Sequence, residues 1–178
     1  MSTPAAVGFR AHSGWAAAVA IAGPVETPVV ITRHRIEMGL AQPYHASVGL
    51  ELGEARQLIA DCETRAASLA ATAIRGIVTD VRALGHQVTC CGLLLASGRP
   101  LPPLESILAS HPLLHTAEGE LFRDALRAAC RECGLRLTTI KERDLKMEGL
   151  AAIDAPGPPW RQDQKLAALA AIQALRST

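Results

Sequence analysis

The longest periodic stretch runs from Leu50 to about Leu84, where Leu52, Ala55, Ile59, Cys62, Ala66, Leu69 and Ala73 recur at alternating three- and four-residue steps. That spacing lines one face of a helix with a narrow apolar seam. At a rise of 1.5 Å per residue the helix extends on the order of 50 Å, longer than a small sheet needs. The overhanging part of the seam is then free to support a homodimer, or the helix bends to wrap its own core. Gly76 is where the helix is expected to kink or stop early, and Gly85 closes it.

Val88 to Leu95 is a near-continuous apolar run, the pattern of a central strand covered on both faces. Trp15 to Ala22 reads as a first strand closed by Gly23-Pro24, and Val29 to Met38 as a second. The linker Gly23 to Pro28 is short and proline-bounded, so the two strands are expected to form an antiparallel hairpin. In the second strand Arg33 and Arg35 alternate with His34 and Ile36, which marks an edge half open to solvent. Residues 1–13 read as an irregular lead-in, and Gln42-Pro43-Tyr44-His45 as a turn before the long helix.

The stretch from His111 to Arg123, His-Pro-Leu-Leu-His-Thr-Ala-Glu-Gly-Glu-Leu-Phe-Arg, gathers two histidines, two glutamates and an arginine at a helix start. Thr116 fits an N-cap, and Leu121, Phe122, Ala125, Leu126 and Ala129 follow at helical spacing. A short helical piece, Leu104 to Ser110, precedes it, and Gly134 ends it. Leu135 to Lys141 reads as the last strand. Two proline-rich loops, Gly98 to Pro103 and Ala155 to Trp160, stiffen the connections. The second delivers Asp163 as the expected N-cap of a final amphipathic helix through Leu166, Leu169, Ala170 and Leu175.

The resulting order is strand, strand, helix, strand, helix, strand, helix. It predicts one α/β layered domain over residues 1–178, with a mixed sheet flanked by helices. Right-handed crossovers place the last two strands parallel beside the hairpin.

Composition narrows the partners more than the fold. A net charge of +1 supplies no general field for nucleic acid, so such a partner needs a local patch. Aromatics are 3% of the chain, so alanine and leucine must fill the core and helices must pack closely. No apolar run is long enough for a membrane span, and no membrane partner is expected. The segment ending in Ala20-Ile21-Ala22 has a cleavage-like look, yet it continues directly into the hairpin and is read as retained.

The five cysteines, Cys62, Cys90, Cys91, Cys130 and Cys133, are odd in number and lie at apolar positions. They read as reduced thiols of a cytoplasmic protein. Cys130-Arg-Glu-Cys133 falls at a helix end, whereas a redox pair sits at a helix start. Cys90-Cys91 has the wrong spacing to complete a zinc site. No bound metal and no cofactor are expected.

The order of elements resembles the RNase H-like fold, and the middle domain of eukaryotic release factors, a catalytically silent relative. The phrases Gly14-Trp15-Ala16-Ala17, His115-Thr116-Ala117-Glu118-Gly119 and Gly157-Pro158-Pro159-Trp160 also resemble an uncharacterised bacterial family. An RNase H-like nuclease holds two metals, such as magnesium, between carboxylates. The resemblance implies an acid on the first strand, but Arg10 to Ala22 contains none, and His12 and Ser13 occupy that neighbourhood. Leu94 to Gly98 lacks an acid as well. Asp163, with Glu118 and Glu120, is left to supply carboxylates.

In open α/β sheets ligands gather outside the carboxyl ends of strands, where helix N-termini also collect. The loop at Gly98, the helix start near His115 and the helix start near Asp163 should share that rim. The expected function is therefore a binding or interaction module with a phosphate-binding pocket around His111 to Arg123. Its ligand residues are His12, Ser13, Arg99, His111, Thr116, Arg123, Trp160 and Lys165. The partner is a phosphate-bearing small molecule, a nucleotide or nucleic acid, or a protein. The alternative is a nuclease or phosphoester hydrolase using His115, Glu118 and Asp163, with magnesium as cofactor.

Each residue also has a plainer role. Glu118 and Glu120 favour a helix N-terminus by charge, and His115 packs on the first turn. Arg123 pairs with a nearby acid, Asp163 caps, and Trp160 plugs the core edge.

Overall fold

The computed structural model describes residues 2–96, 100–154 and 156–177. Its strands are β1 (Thr3–His12), β2 (Trp15–Ala22), β3 (Val29–Glu37), β4 (His86–Leu95) and β5 (Arg136–Lys141). The helices are α1 (Pro43–Ala46), α2 (Leu52–Ala83), α3 (Leu104–Leu108), α4 (His111–Glu132) and α5 (Gln162–Arg176). Two short 3-10 turns, Glu142–Asp144 and Met147–Ala152, lie between β5 and α5. No helix among the described residues is long and apolar enough to cross a membrane.

The five strands form one sheet in the order β3-β2-β1-β4-β5. β1, β2 and β3 run as an antiparallel meander, and β1, β4 and β5 are parallel. The predicted hairpin, the parallel crossovers and the edge position of β3 are all present. The irregular lead-in is corrected: residues 3–12 are the central strand of the sheet.

Why β1 escapes a hydrophobic pattern is a matter of packing. Ala5, Val7 and Phe9 face the core shared with α2 and α4, while Ala6 faces α5. On that second face a side chain at Gly8 would stand 1.8 Å from the carbonyl oxygen of Ala167, and one at Gly92 of β4 2.2 Å from that of Ala170. The backbone of α5 rests directly on two glycines, and its own buried residues include Ala167, Ala168, Ala170, Ala171 and Ala174. Small residues permit this contact, and they carry little β signal.

The opposite face is covered by α2 and α4. The buried stripe of α2 passes through Ala55, Ile59, Ala66, Ala70, Ile74, Ile77 and Val81. It follows the 3.6-residue period of a straight helix and so drifts off the expected seam, leaving Leu69 36% exposed. The helix runs unbroken through Gly76. Burying Ile59, Ile74, Ile77 and Val81 contributes roughly 1.5–3 kcal/mol each before entropy is counted. Gly85 and Gly134 follow α2 and α4 in the left-handed conformation, at φ 87° and 67°, which stops both helices.

Two helix starts differ from expectation. α4 begins six residues earlier than predicted, with Ser110 as N-cap and Pro112 in its first turn, where a missing N–H costs nothing. Thr116 lies inside the helix and its hydroxyl donates to the Pro112 carbonyl at 3.0 Å. α5 is capped at Arg161, whose N–H donates to Gln164 Oε1 at 2.9 Å. Asp163 is inside the first turn, and its carboxylate is turned toward the sheet.

Candidate functional site

Because β1, β4 and β5 are parallel, and β3 is twice reversed from β1, the carboxyl ends of these four strands form one rim. Two groups of polar side chains sit there, on opposite faces of the sheet.

The first group faces α5. Arg10 and His12, two residues apart on β1, point to that side and converge on one carboxylate oxygen. Asp163 Oδ1 accepts from Arg10 Nη1 at 2.9 Å and hydrogen-bonds His12 Nε2 at 2.8 Å. Arg10 Nη2 reaches Glu142 at 3.3 Å. The register sets His12 opposite Trp15 across the β1–β2 turn, and their rings stack at 4.4 Å. Trp15 in turn opposes Glu37 on β3, which makes Arg35 its diagonal neighbour. The Arg35 guanidinium lies 3.8 Å from the Trp15 ring centre and also bonds Glu37.

Beside these residues runs a groove of about 400 Å³ lined by Trp15, Arg33, Arg35, Arg161, Asp163 and Gln164. Arg33 is engaged, donating to the Gly157 carbonyl at 3.0 Å and to that of Pro159. Arg35 remains about half exposed, and Arg161 is exposed. The neighbouring His34 has its imidazole pushed toward lower pKa by burial, partly offset by Asp80.

The second group lies on the other face, where α1 crosses the start of α4. His111 and His115 are one helical turn apart, and α1 brings His45 against them. Ring centres are separated by 5.3 Å for His45 and His111, 4.7 Å for His45 and His115, and 4.6 Å for His111 and His115. One nitrogen from each ring lies within 4.8 Å of the other two.

Beneath them Glu118 is fully buried. Its Oε1 accepts from the His45 backbone N–H at 3.1 Å and hydrogen-bonds His45 Nδ1 at 2.8 Å. Its Oε2 is buried, has no hydrogen-bond partner among the described residues and stands 4.0 Å from His115 Nδ1. Tyr44 is buried alongside, and its hydroxyl is pushed up to about 12, first by burial and then by Glu63, Asp124 and Glu118.

The sequence-derived residues thus divide. His111, His115 and Glu118 come together, and His45 is the member that sequence reasoning left out. His12 and Asp163 come together with Arg10, which was also missed. Glu118 and Asp163 are separated by the sheet, so the set of His115, Glu118 and Asp163 does not converge.

Arg123 is 8% exposed and its guanidinium binds Glu120 at 2.9 Å and 3.2 Å. It lies twelve residues past His111 on the same helix, ~18 Å along the axis. Ser13 is in the β1–β2 turn, Trp160 packs on the α5-side core, and Lys165 is half-buried on α5. Arg99 lies outside the described residues.

The fold is RNase H-like, a three-stranded meander followed by two parallel crossovers, with α2 and α4 on one face and α5 on the other. Two solved structures of Thermus thermophilus RuvC share it. One, in complex with a Holliday junction substrate, superposes with a TM-score of 0.53 at 8% identity, over 94% of this chain and 90% of that one. A second gives 0.51 at 8% identity, over 94% and 91%. No protein-family model matches the sequence, and no curated protein does. At that identity the likeness is one of fold.

Proposed function

We propose that the chain is a binding domain whose rim groove receives a phosphate-bearing ligand with a planar base, a nucleotide or a nucleic-acid strand. The observation that carries this reading is the guanidinium-lined groove beside Trp15. Arg35 lies over the indole at 3.8 Å and stays about half exposed, which suits stacking by a base, while Arg161 supplies a cation for phosphate. The RuvC structure with a Holliday junction shares the fold and is in keeping with such a ligand. The anion pocket expected between His111 and Arg123 moves to this groove in our reading. Arg123 is occupied by Glu120, and the buried Glu118 carboxylate opposes an anion at the histidines.

Nuclease chemistry finds less support. Two-metal cleavage needs carboxylates free to bridge cations at the phosphate. β1 and β4 carry none, and Asp163 is held by Arg10 and His12.

Fluorescence anisotropy with a labelled single-stranded oligonucleotide tests the proposal. Binding is expected at low salt, weakened by Arg35→Ala and by Arg161→Ala, with unlabelled nucleotide competing if a single base suffices. Each lost phosphate contact should lower the salt slope by about 0.7. Absence of binding at low salt would overturn the function, and strand cleavage in magnesium or manganese would overturn the non-nuclease reading.

A further inference from the structure

The histidine group is independent of the groove and lies across the sheet from it. Its geometry points to a metal site. We propose that His45, His111 and His115 bind one divalent cation of the zinc class, with Glu118 behind them and one coordination position open to solvent.

The nitrogen spacing is the first argument. His111 Nε2 and His115 Nε2 are 3.1 Å apart. Two imidazole nitrogens at 2.0–2.1 Å from a tetrahedral zinc are separated by ~3.3–3.4 Å, so this pair already has the bite of a chelate. Both rings are exposed, so closing the hydrophobic core does not call for them to face one another. The third nitrogen comes from His45 on a separate element, within 4.8 Å of the other two.

The second argument is the carboxylate. A fully buried glutamate is costly unless its oxygens are paired. Glu118 Oε1 fixes Nδ1 of His45 as the protonated nitrogen, which leaves Nε2 bare and directed away from the carboxylate. Its unpartnered Oε2 faces His115 Nδ1 at 4.0 Å, in position to do the same for that ring as it is drawn in. A ligating histidine almost always donates its other N–H to a carboxylate, carbonyl or water; here one buried acid holds His45 and stands beside His115. Its negative charge also suits a cation. Three imidazoles without thiolate or oxygen donors select zinc, cobalt, nickel or copper over magnesium and calcium. Three protein ligands facing solvent leave room for water or an anion in the fourth position.

The test uses the untagged full chain, stripped with chelator, dialysed and titrated with Co²⁺ and with Zn²⁺. One ion per chain is expected, with a visible cobalt spectrum of nitrogen–oxygen ligation. His111→Ala and His115→Gln should each weaken binding by more than the ~10–100-fold typical of changes behind a ligand, and Glu118→Gln by about that range. The exposed histidine variants should keep the far-ultraviolet circular dichroism of the parent chain, which separates lost ligation from lost folding. The site is overturned if the parent chain takes up neither ion. Undiminished uptake in both histidine variants, or a thiolate-to-cobalt charge-transfer band marking the cysteines as ligands, overturns it equally.

Discussion

Arg10 on β1 and Asp163 on α5 form an ion pair at 2.9 Å across the face of the sheet, with His12 bonded to the same carboxylate oxygen. The pair ties the start of the last helix to the end of the central strand. Both side chains are less than a third exposed, so solvent screens them only in part. Arg10→Ala leaves the part-buried Asp163 carboxylate with its bond to His12 but without the guanidinium, and should destabilise by about 1–2 kcal/mol, between the surface and buried ranges. Urea unfolding of the variant against the parent chain checks this. A difference within error would show the pair to be a surface contact.

Glycines 92 and 76 predict opposite outcomes from the same substitution. At Gly92 a β-carbon meets the backbone of α5 at 2.2 Å, and backbone cannot rotate aside as a flexible side chain would. Gly92→Ala should cost at least the ~1–3 kcal/mol typical of overpacking. Gly76 is inside α2, and among the described residues nothing beyond the helix's own backbone comes within 4 Å of a β-carbon there. Gly76→Ala should stabilise by roughly 0.5–1 kcal/mol through helix propensity. Thermal melts of the two variants should move in opposite directions, and parallel shifts would contradict the packing described.

The same contrast explains what could be read before folding. α2, β4 and the β2–β3 hairpin announce themselves because a long helical period, unbroken apolar runs and the Gly23-Pro24 turn are strong local signals. β1 does not, since its contact with α5 selects Gly8 and Ala6, residues that look like loop. The start of α4 is displaced because Thr116 fits an N-cap in the sequence, whereas the helix begins after Ser110 with Pro112 in its first turn. Of the histidine group, His111 and His115 are legible because they gather at an expected helix start. His45 is not, because its tie to Glu118 spans 73 residues and passes partly through its backbone N–H. The expectation of no metal rests on the odd number, apolar positions and spacing of the cysteines, while His45 reads as part of a turn.

Glu118 gives a stability prediction separate from any ligand. In the metal-free chain it holds α1 against α4 through two bonds to His45. Glu118→Leu removes the acceptor and leaves a part-buried backbone N–H without it, at a cost of about 1–3 kcal/mol. Hydrogen exchange should then show the His45 amide losing protection while amides of β4 keep theirs after correction for global stability. Unchanged protection at His45 would contradict the anchoring role.

His34 should make the fold sensitive to acid. Burial lowers its pKa, with Asp80 of α2 opposing, and its Nε2 is buried without a hydrogen-bond partner among the described residues. In the unfolded chain the imidazole titrates near ~6.5. Below that value the unfolded state binds more protons than the folded state, so stability rises with pH and falls as pH drops. The loss begins as pH falls through the unfolded value and levels off below the lowered folded one. Replacing His34 with leucine removes this term and leaves every carboxylate in place, so the difference between the two chains isolates it. The variant should show a shallower fall in melting temperature across that window. An imidazole proton titration by NMR should place the His34 midpoint below that of the urea-unfolded chain, and a midpoint at or above it would refute the assignment.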